Sequence, residues 1–244
     1  MFLPLDDVDS LGRPRPLPGP YRLLAIGIDI GQIHDPSAFV AVEAHEVTVQ
    51  AADPLFGEWP LRETHYRVLG GQRLPLGTPY PEVARRANLL AKRLYDWDSR
   101  GDVHMLVDST GVGRPVCDLI RAQVIPQCHV TAVTLTGGDK GDPSVLWRLE
   151  ASIGKAFLVS RLQALLQSRR IAAPMDADMA AMASELKGYE IKAKPETGHL
   201  QAGAFAVGAH DDLVTALGLA VLGDLSMSEA RYGPFVGDLP SPVL

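Results

Sequence analysis

A single carboxylate lies inside an apolar run in residues 25–31, AIGIDIG. The apolar residues on both sides are typical of a buried β-strand, and the glycine that closes the run predicts a turn. An aspartate in a buried strand is costly unless another group balances its charge. Asp29 is therefore the first candidate for a functional residue.

Two further acidic positions lie in similar settings. Asp108 ends the apolar run of residues 103–107, and the pair Asp211 and Asp212 directly precedes a predicted apolar helix. Each position has a simpler explanation, because Asp108 could serve the turn that follows it and Asp211 could cap the helix. Three acidic positions far apart in the chain, each at the end of a core element, nevertheless predict one metal site assembled by the fold.

The chemistry of these acids indicates phosphoryl transfer. Carboxylate oxygens suit hard cations such as Mg²⁺ and Mn²⁺. Two such ions about 4 Å apart can stabilise both the attacking and the leaving oxygen of a phosphoryl displacement. Asp29 would bridge the two ions, and Asp108 and the pair Asp211 and Asp212 would complete one ion each. The helix dipole also favours negative charge at the pair.

The composition limits the class of protein. Of 244 residues, 46% are hydrophobic and 21% are charged, as in an ordinary globular protein. The net charge of -6 argues against a protein coated in nucleic acid, but it allows an enzyme that touches DNA along one groove. Cys117 and Cys128 are too far apart for a CxxC motif, and no apolar run could span a bilayer. Without a recognisable signal peptide, we expect a cytoplasmic protein that is not secreted and contacts no membrane.

The order of the predicted elements indicates one domain, residues 22–223, between a proline-rich arm, residues 1–21, and a loose tail, residues 224–244. The short turn between the first two strands predicts an antiparallel hairpin, and a third strand follows. Helices and strands then alternate, which implies parallel strands joined by crossovers. A further β-hairpin is predicted over residues 189–205. The expected fold is α/β, a mixed sheet whose strands one to three are antiparallel, with helices on both faces.

Three motifs resemble the nuclease domain of the large terminase subunit of tailed phages. They are GIDIG at residues 27–31, VDSTGVG at residues 107–113 and GAHDDLVTAL at residues 208–217. The third is the most specific, because the predicted hairpin precedes it. The resemblance covers residues 22–223. It implies an RNase H-like fold with a mixed five-stranded sheet, akin to that of Holliday-junction resolvases.

The resemblance also implies site residues. In that family, an Asp of the first strand, an Asp after the fourth strand and an Asp of the last helix bind the metals, and these match Asp29, Asp108 and the Asp211–Asp212 pair. Which member of the pair is the inner ligand stays open. His210 is a further candidate, since its counterpart lies near the metals in some relatives, but it could equally be a solvent-facing residue. Asp35 is a weaker candidate that could simply cap the turn after the first strand.

The activity implied by the resemblance is metal-dependent endonuclease cleavage of double-stranded DNA during genome packaging, with two Mg²⁺ or Mn²⁺ ions, in the cytoplasm of a bacterial host. Implied partners are an ATPase motor subunit or domain, the small terminase subunit and the portal. The phosphate-binding motif of such a motor is absent, because Gly154-Lys155 lacks both the upstream glycine and the following Ser or Thr. The chain is therefore expected to be the isolated nuclease part or a stand-alone relative.

Basic residues that could contact DNA are less distinctive, and each could be an ordinary surface charge. The candidates are Lys192, Lys194, Arg161, Arg169 and Arg170.

Two other functions remain open at this point. An actin-like or sugar-kinase-like ATPase also begins with an Asp-x-Gly strand turn, and residues 107–113 could pass for its second phosphate turn. The chain is short for the two domains that such a protein needs. A non-enzymatic packaging module with a degenerate site is the third hypothesis, and the presence of all the acids argues against it.

Overall fold

The computed structural model describes residues 22–31, 35–50, 61–141, 148–174, 177–193, 200–204 and 211–223. The predicted arm and tail, residues 1–21 and 224–244, lie outside these ranges. Within them, no helix combines the length and the apolar character needed to cross a membrane.

Nine strands and five helices make up the described part of the chain. The strands are β1 (Arg22–Asp29), β2 (Ala38–Gln50), β3 (Leu61–Arg73), β4 (Val103–Asp108), β5 (Cys128–Thr136), β6 (Glu150–Gly154), β7 (Ile171–Ala172), β8 (Tyr189–Ala193) and β9 (Leu200–Ala204). The helices are α1 (Tyr80–Trp97), α2 (Gly113–Arg121), α3 (Lys155–Gln167), α4 (Ala177–Gly188) and α5 (Asp212–Ala220), and a short 3-10 helix, Val221–Gly223, follows α5.

Seven strands form one mixed sheet in the order β6-β5-β4-β1-β2-β3-β7, and β8 pairs with β9 in a separate antiparallel hairpin. Strands β1, β2 and β3 are antiparallel, as predicted. Strands β4, β5 and β6 extend the sheet in parallel with β1, and β7 lies parallel to β3. The mixed sheet and the hairpin are therefore confirmed.

The predicted number of five strands in the main sheet is wrong, because β6 and β7 add two more. The missed strands have five and two residues. Runs this short show too little alternation of apolar and polar residues to be recognised from sequence. Both strands lie at the edges of the sheet and owe their extended form to pairing with β5 and β3.

Helices cover both faces of the sheet, as expected. On one face Leu24, Ile26 and Ile28 of β1 pack with buried residues of α1 and α2. On the other face Leu23 and Ala25 pack with buried residues of α3, α4 and α5. A strand that is buried on both sides reads as a continuous apolar run, which explains the pattern around Asp29.

Helix α5 lies directly on the backbone of β1. Every residue of α5 is buried. The contact depends on Gly27, because a Cβ at this position would lie 1.8 Å from the carbonyl oxygen of Ala216 and 2.6 Å from the amide nitrogen of Ala220. Gly27 thus sets how closely α5 approaches β1.

Replacing Gly27 by Ala is expected to lower the free energy of unfolding by about 3 kcal/mol, the upper end of the usual cost of overpacking. The clash is with backbone atoms, so no side-chain rotation can relieve it, and α5 must move away from β1. Gly70→Ala is a matched control on β3, since its added Cβ would meet nothing within 4 Å. Urea unfolding of the two variants measures the difference, and equal stabilities would contradict the close packing of α5.

Candidate metal centre

Asp29 and Asp108 lie side by side at the carboxyl ends of two neighbouring parallel strands. Ile28 of β1 pairs with Val107 of β4, so the next residue of each strand reaches the same edge of the sheet. Alternate residues of a strand point to the same face. Both carboxylates therefore share the face of Gly27 and Leu106, which is the face covered by α5.

The N-terminus of α5 brings the second pair of acids to this edge. Asp211 holds the N-cap position and its carbonyl oxygen accepts a hydrogen bond from the amide of Thr215 at 2.8 Å. Its carboxylate makes no capping hydrogen bond and instead accepts one from the Lys155 ammonium at 2.9 Å. Capping does not therefore account for this side chain.

Asp212 turns in another direction and is buried. Its Oδ2 lies 3.4 Å from Nε of Arg73, at the end of β3. Arg73 also forms an ion pair with Glu185 of α4. The two neighbouring acids of α5 thus face two different cations.

The charges of the other three acids all act on Asp29. Burial raises the pKa of Asp29 well above its ordinary value of 3.8, and the charges of Asp108, Asp212 and Asp211 raise it further, in that order. Burial also raises the pKa of Asp108, as does the charge of Asp211. Unbalanced negative charge therefore accumulates at this edge of the sheet.

Two groups oppose this accumulation. Hydrogen bonds from Thr110 favour the ionised form of Asp108, and the backbone amide of Thr110 donates to its Oδ1 at 2.8 Å. The Lys155 ammonium lowers the pKa of both Asp29 and Asp108. One cation of the chain thus already serves three of the four carboxylates.

The donor chemistry of this cluster fits a hard divalent cation, because it consists of carboxylate oxygens that lack sufficient positive charge. The described residues do not, however, include three acidic, histidine or cysteine side chains already arranged as a metal cage. Like charges repel one another, and Lys155 and Arg73 draw Asp211 and Asp212 apart.

The weaker metal candidates gain little support. Asp35 is exposed in the bend after β1, where it borders a cleft with Ser37 and Tyr80. His210 lies outside the described residues.

The basic candidates lie in different settings. Arg161 donates to the hydroxyl of Tyr66 at 2.9 Å and to the carbonyl oxygen of Val221 at 3.1 Å. It therefore links α3 to β3 and to the short 3-10 helix that follows α5. Arg170 donates to the carbonyl oxygen of Thr64 at 2.8 Å. Arg169 is exposed just after α3, with a φ of 57°.

The length of α3 separates two of these arginines from the acids. The helix has 13 residues and starts at Lys155, so its far end, which Arg169 and Arg170 follow, lies roughly 20 Å from its first residue. Lys192 belongs to β8, and Lys194 lies outside the described residues. The DNA-binding set therefore stays a prediction.

Three residues that surround the acids were not predicted from the sequence: Lys155, Arg73 and Glu185. Lys155 follows a glycine between a strand and a helix, and this was its only signal. Glu185 accepts hydrogen bonds from the amides of Leu213 and Val214 at 3.1 and 3.2 Å, so a residue of α4 caps α5. Nothing local in the sequence connects this glutamate to a helix that begins 27 positions later.

Replacing Glu185 by Ala is expected to lower the free energy of unfolding by about 1–3 kcal/mol, because two amides of α5 lose their acceptor and Arg73 loses a partner. Glu185→Gln keeps an oxygen acceptor and should cost clearly less. Thermal unfolding of both variants tests the cap. If the two substitutions cost the same, the hydrogen bonds to α5 are not what this side chain contributes.

Comparison with known proteins supports the fold predicted from the resemblance. No protein-family model matches the chain, and no curated protein sequence matches it. The large terminase nuclease from the thermophilic phage G20c is 21% identical, with a TM-score of 0.52 over 90% of this chain and 91% of that one. The Mn-soaked terminase nuclease domain of human cytomegalovirus is 11% identical, with a TM-score of 0.50 over 82% of this chain and 83% of that one.

These likenesses establish the fold of the chain, which is the RNase H-like fold of terminase nuclease domains. RuvC from Thermus thermophilus also aligns over 87% of the chain, but its TM-score of 0.35 is too low to establish a shared fold. The expected fold class is therefore confirmed by its terminase neighbours.

Proposed function

We propose that the chain is a divalent-metal-dependent endonuclease that hydrolyses phosphodiester bonds of DNA as the nuclease of a genome-packaging terminase. One observation carries this proposal. Asp29, Asp108 and the Asp211–Asp212 pair come from three distant parts of the sequence and meet at one sheet edge, where burial and mutual repulsion raise the pKa of two of them. A protein gains no stability from such a cluster, so its presence favours a role in binding cations.

Asp29 would bridge two Mg²⁺ or Mn²⁺ ions, since it is the acid on which the charges of the other three all act. Asp108 would complete one ion, with its carboxylate oriented by the Thr110 amide. When bound, the ions would supply an activated water and would stabilise the leaving oxygen of the scissile phosphate. The chain's own contribution is to hold these carboxylates in place on rigid strand ends and on a helix that is buried throughout.

Asp211 is the better candidate for the inner ligand from α5. Its charge acts on both Asp29 and Asp108, and its side chain is 26% exposed, so an ion could reach it. The side chain of Asp212 is only 6% exposed and is engaged by Arg73. Asp212 would then bind the second ion or orient the site, and His210 and Asp35 are lesser candidates.

The proposed substrate is double-stranded DNA, as the relatedness of the fold to terminase nucleases suggests. With a net charge of -6, the chain would contact DNA along a limited groove. Arg169, Lys192 and Lys194 are the basic residues best suited to this role, because Arg161 and Arg170 are engaged by backbone carbonyls. An ATPase motor, the small terminase subunit and the portal would be its partners in the cytoplasm of a bacterial host.

Plasmid cleavage tests the proposal. Supercoiled DNA incubated with the purified chain should become nicked and linear with Mn²⁺ or Mg²⁺, and EDTA should stop the reaction. Intact plasmid under all metal conditions, in a protein that is folded by circular dichroism, would contradict a nuclease function. ATP hydrolysis by such a protein would instead favour the actin-like alternative.

A further inference from the structure

We propose that Lys155 is a built-in counter-cation of the acid cluster, which a divalent ion must displace before the metal centre is complete. The inference rests on the proposed function, since it concerns the same carboxylates. Lys155 belongs to none of the three motifs, and it would occupy the site before metal arrives.

The fold places Lys155 next to the acids. It is the first residue of α3 and directly follows β6, whose end lies on the same sheet edge because β4, β5 and β6 are parallel. Its Nζ lies 2.9 Å from Oδ2 of Asp211. The same charge lowers the pKa of Asp29 and of Asp108, so the ammonium is shared by three carboxylates.

The backbone of Lys155 is held in place by hydrogen bonds on both sides of it. The amide of Gly154 donates to the carbonyl oxygen of Lys140 at 2.8 Å, and that of Ala156 donates to Gly138 at 3.1 Å. A Cβ at Gly154 would lie 2.4 Å from the carbonyl oxygen of Gly138, which shows how tightly this junction packs. A lysine side chain has a long flexible stem and carries a point charge, so the ammonium can leave Asp211 without any movement of α3.

The position of Lys155 is unfavourable for a lysine on local grounds. The first turn of a helix carries partial positive charge, which favours acids and disfavours cations. The first turn of α3 contains no acidic residue to compensate. The neighbouring acid cluster, and not its own helix, therefore explains the charge at this position.

Arg73 provides the contrast within the same site. It contacts Asp212 and also forms an ion pair with Glu185, which itself caps α5. Arg73 is thus also paired with a residue outside the cluster. Lys155 pairs with Asp211, whose side chain is 26% exposed, so a divalent ion can compete for the same oxygen atoms.

Metal binds only to the molecules in which the ammonium has left the site. The apparent affinity for metal is therefore the intrinsic affinity multiplied by the fraction of such molecules. Removal of the ammonium should therefore tighten metal binding. A residue that merely stabilised the loaded site, or contacted the substrate alone, would weaken metal binding or leave it unchanged.

The test is calorimetric titration of the full chain with Mn²⁺, without DNA. Lys155→Met keeps the length of the side chain and removes its charge, and it should bind Mn²⁺ about tenfold more tightly than the wild type, a difference of about 1.4 kcal/mol. Lys155→Arg keeps a cation and should bind no more tightly than the wild type. Lys92→Met is the control, because Lys92 pairs with Asp96 on the exposed side of α1 and should leave the affinity unchanged.

The outcomes separate this inference from the proposed function. Equal or weaker Mn²⁺ binding by Lys155→Met, in a protein whose wild type does bind Mn²⁺, overturns the counter-cation role and leaves the nuclease proposal intact. Absence of Mn²⁺ binding by the wild type and by both Lys155 variants overturns the metal centre itself, and with it this inference.

Chemical labelling gives a second readout that involves no catalysis. Acetylation of lysines by a water-soluble ester, followed by mass spectrometry, should modify Lys155 several times faster when Mn²⁺ is present, because the displaced amine is no longer bound to Asp211. Lys92 should react at the same rate with and without the metal. A rate at Lys155 that does not respond to Mn²⁺ counts against displacement.

Discussion

Replacing Asp29 by Asn is expected to abolish metal-dependent DNA cleavage and to make the metal-free protein more stable. An amide cannot supply the negative charge that holds two cations, so cleavage should fall below detection. The stability gain follows from the charges that the wild type must tolerate. Burial and three neighbouring acids raise the pKa of Asp29, so its ionised form destabilises the folded state at neutral pH.

The pH dependence of this gain has a defined sign. A carboxyl whose pKa is higher in the folded state than in the unfolded state binds more protons when folded, so the fold gains stability as the pH falls. For Asp29 this gain develops as the pH drops through the raised pKa and is complete below the ordinary value of 3.8. The difference in unfolding free energy between Asp29→Asn and the wild type should therefore be largest at neutral pH and shrink on acidification.

Chemical unfolding in EDTA across this pH range measures the effect, which should reach at least about 1 kcal/mol at pH 7, or about 2–4 °C in Tm for a chain of this size. Asp96→Asn on α1 is the matched control, because that aspartate is 57% exposed and pairs with a surface lysine. Mn²⁺ should stabilise the wild type and not Asp29→Asn. A variant that is less stable than the wild type at pH 7 would mean that Asp29 is a structural acid.

The sequence allowed the centre of the sheet to be predicted because its signals are local. The short turn after β1 determines the antiparallel pairing with β2, and the apolar stripe of α1 together with its early proline identifies that helix. Strands β1 and β4, which end in Asp29 and Asp108, are otherwise so apolar that these acids stand out in the sequence. The edge strand β7, with two residues, exists only because β3 offers it a partner, and no local pattern reveals this.

The surroundings of the acids could not be predicted for the same physical reason. Lys155 and Asp211 are 56 positions apart, and their contact depends on how β6 and α5 end at the sheet edge. The network of Arg73, Glu185 and Asp212 likewise joins three elements through side chains alone. An acid in a buried strand stands out in the sequence, because burying its charge costs free energy and its neighbours are apolar. The cations that balance such acids look like ordinary surface residues in the sequence.

The two acids of α5 are expected to be unequal. Asp211 holds the N-cap position and faces Lys155, whereas Asp212 is the first residue of α5 and faces Arg73. We expect Asp211→Asn to remove most of the cleavage activity and to weaken Mn²⁺ binding at least about tenfold, the equivalent of about 1.4 kcal/mol. Asp212→Asn should retain measurable activity, which excess Mn²⁺ restores in part.

The Asp211 side chain makes no capping hydrogen bond, so Asp211→Asn should leave α5 folded. Any loss of activity in this variant then reflects the missing charge and not a frayed helix, and circular dichroism together with thermal unfolding checks that point. Cleavage and Mn²⁺ titration of both variants give the ranking. The reverse ranking would make Asp212 the inner ligand and Asp211 the partner of Lys155 only. Full cleavage by both variants at low metal concentration would exclude α5 from the site, and the nuclease proposal would lose its most specific motif.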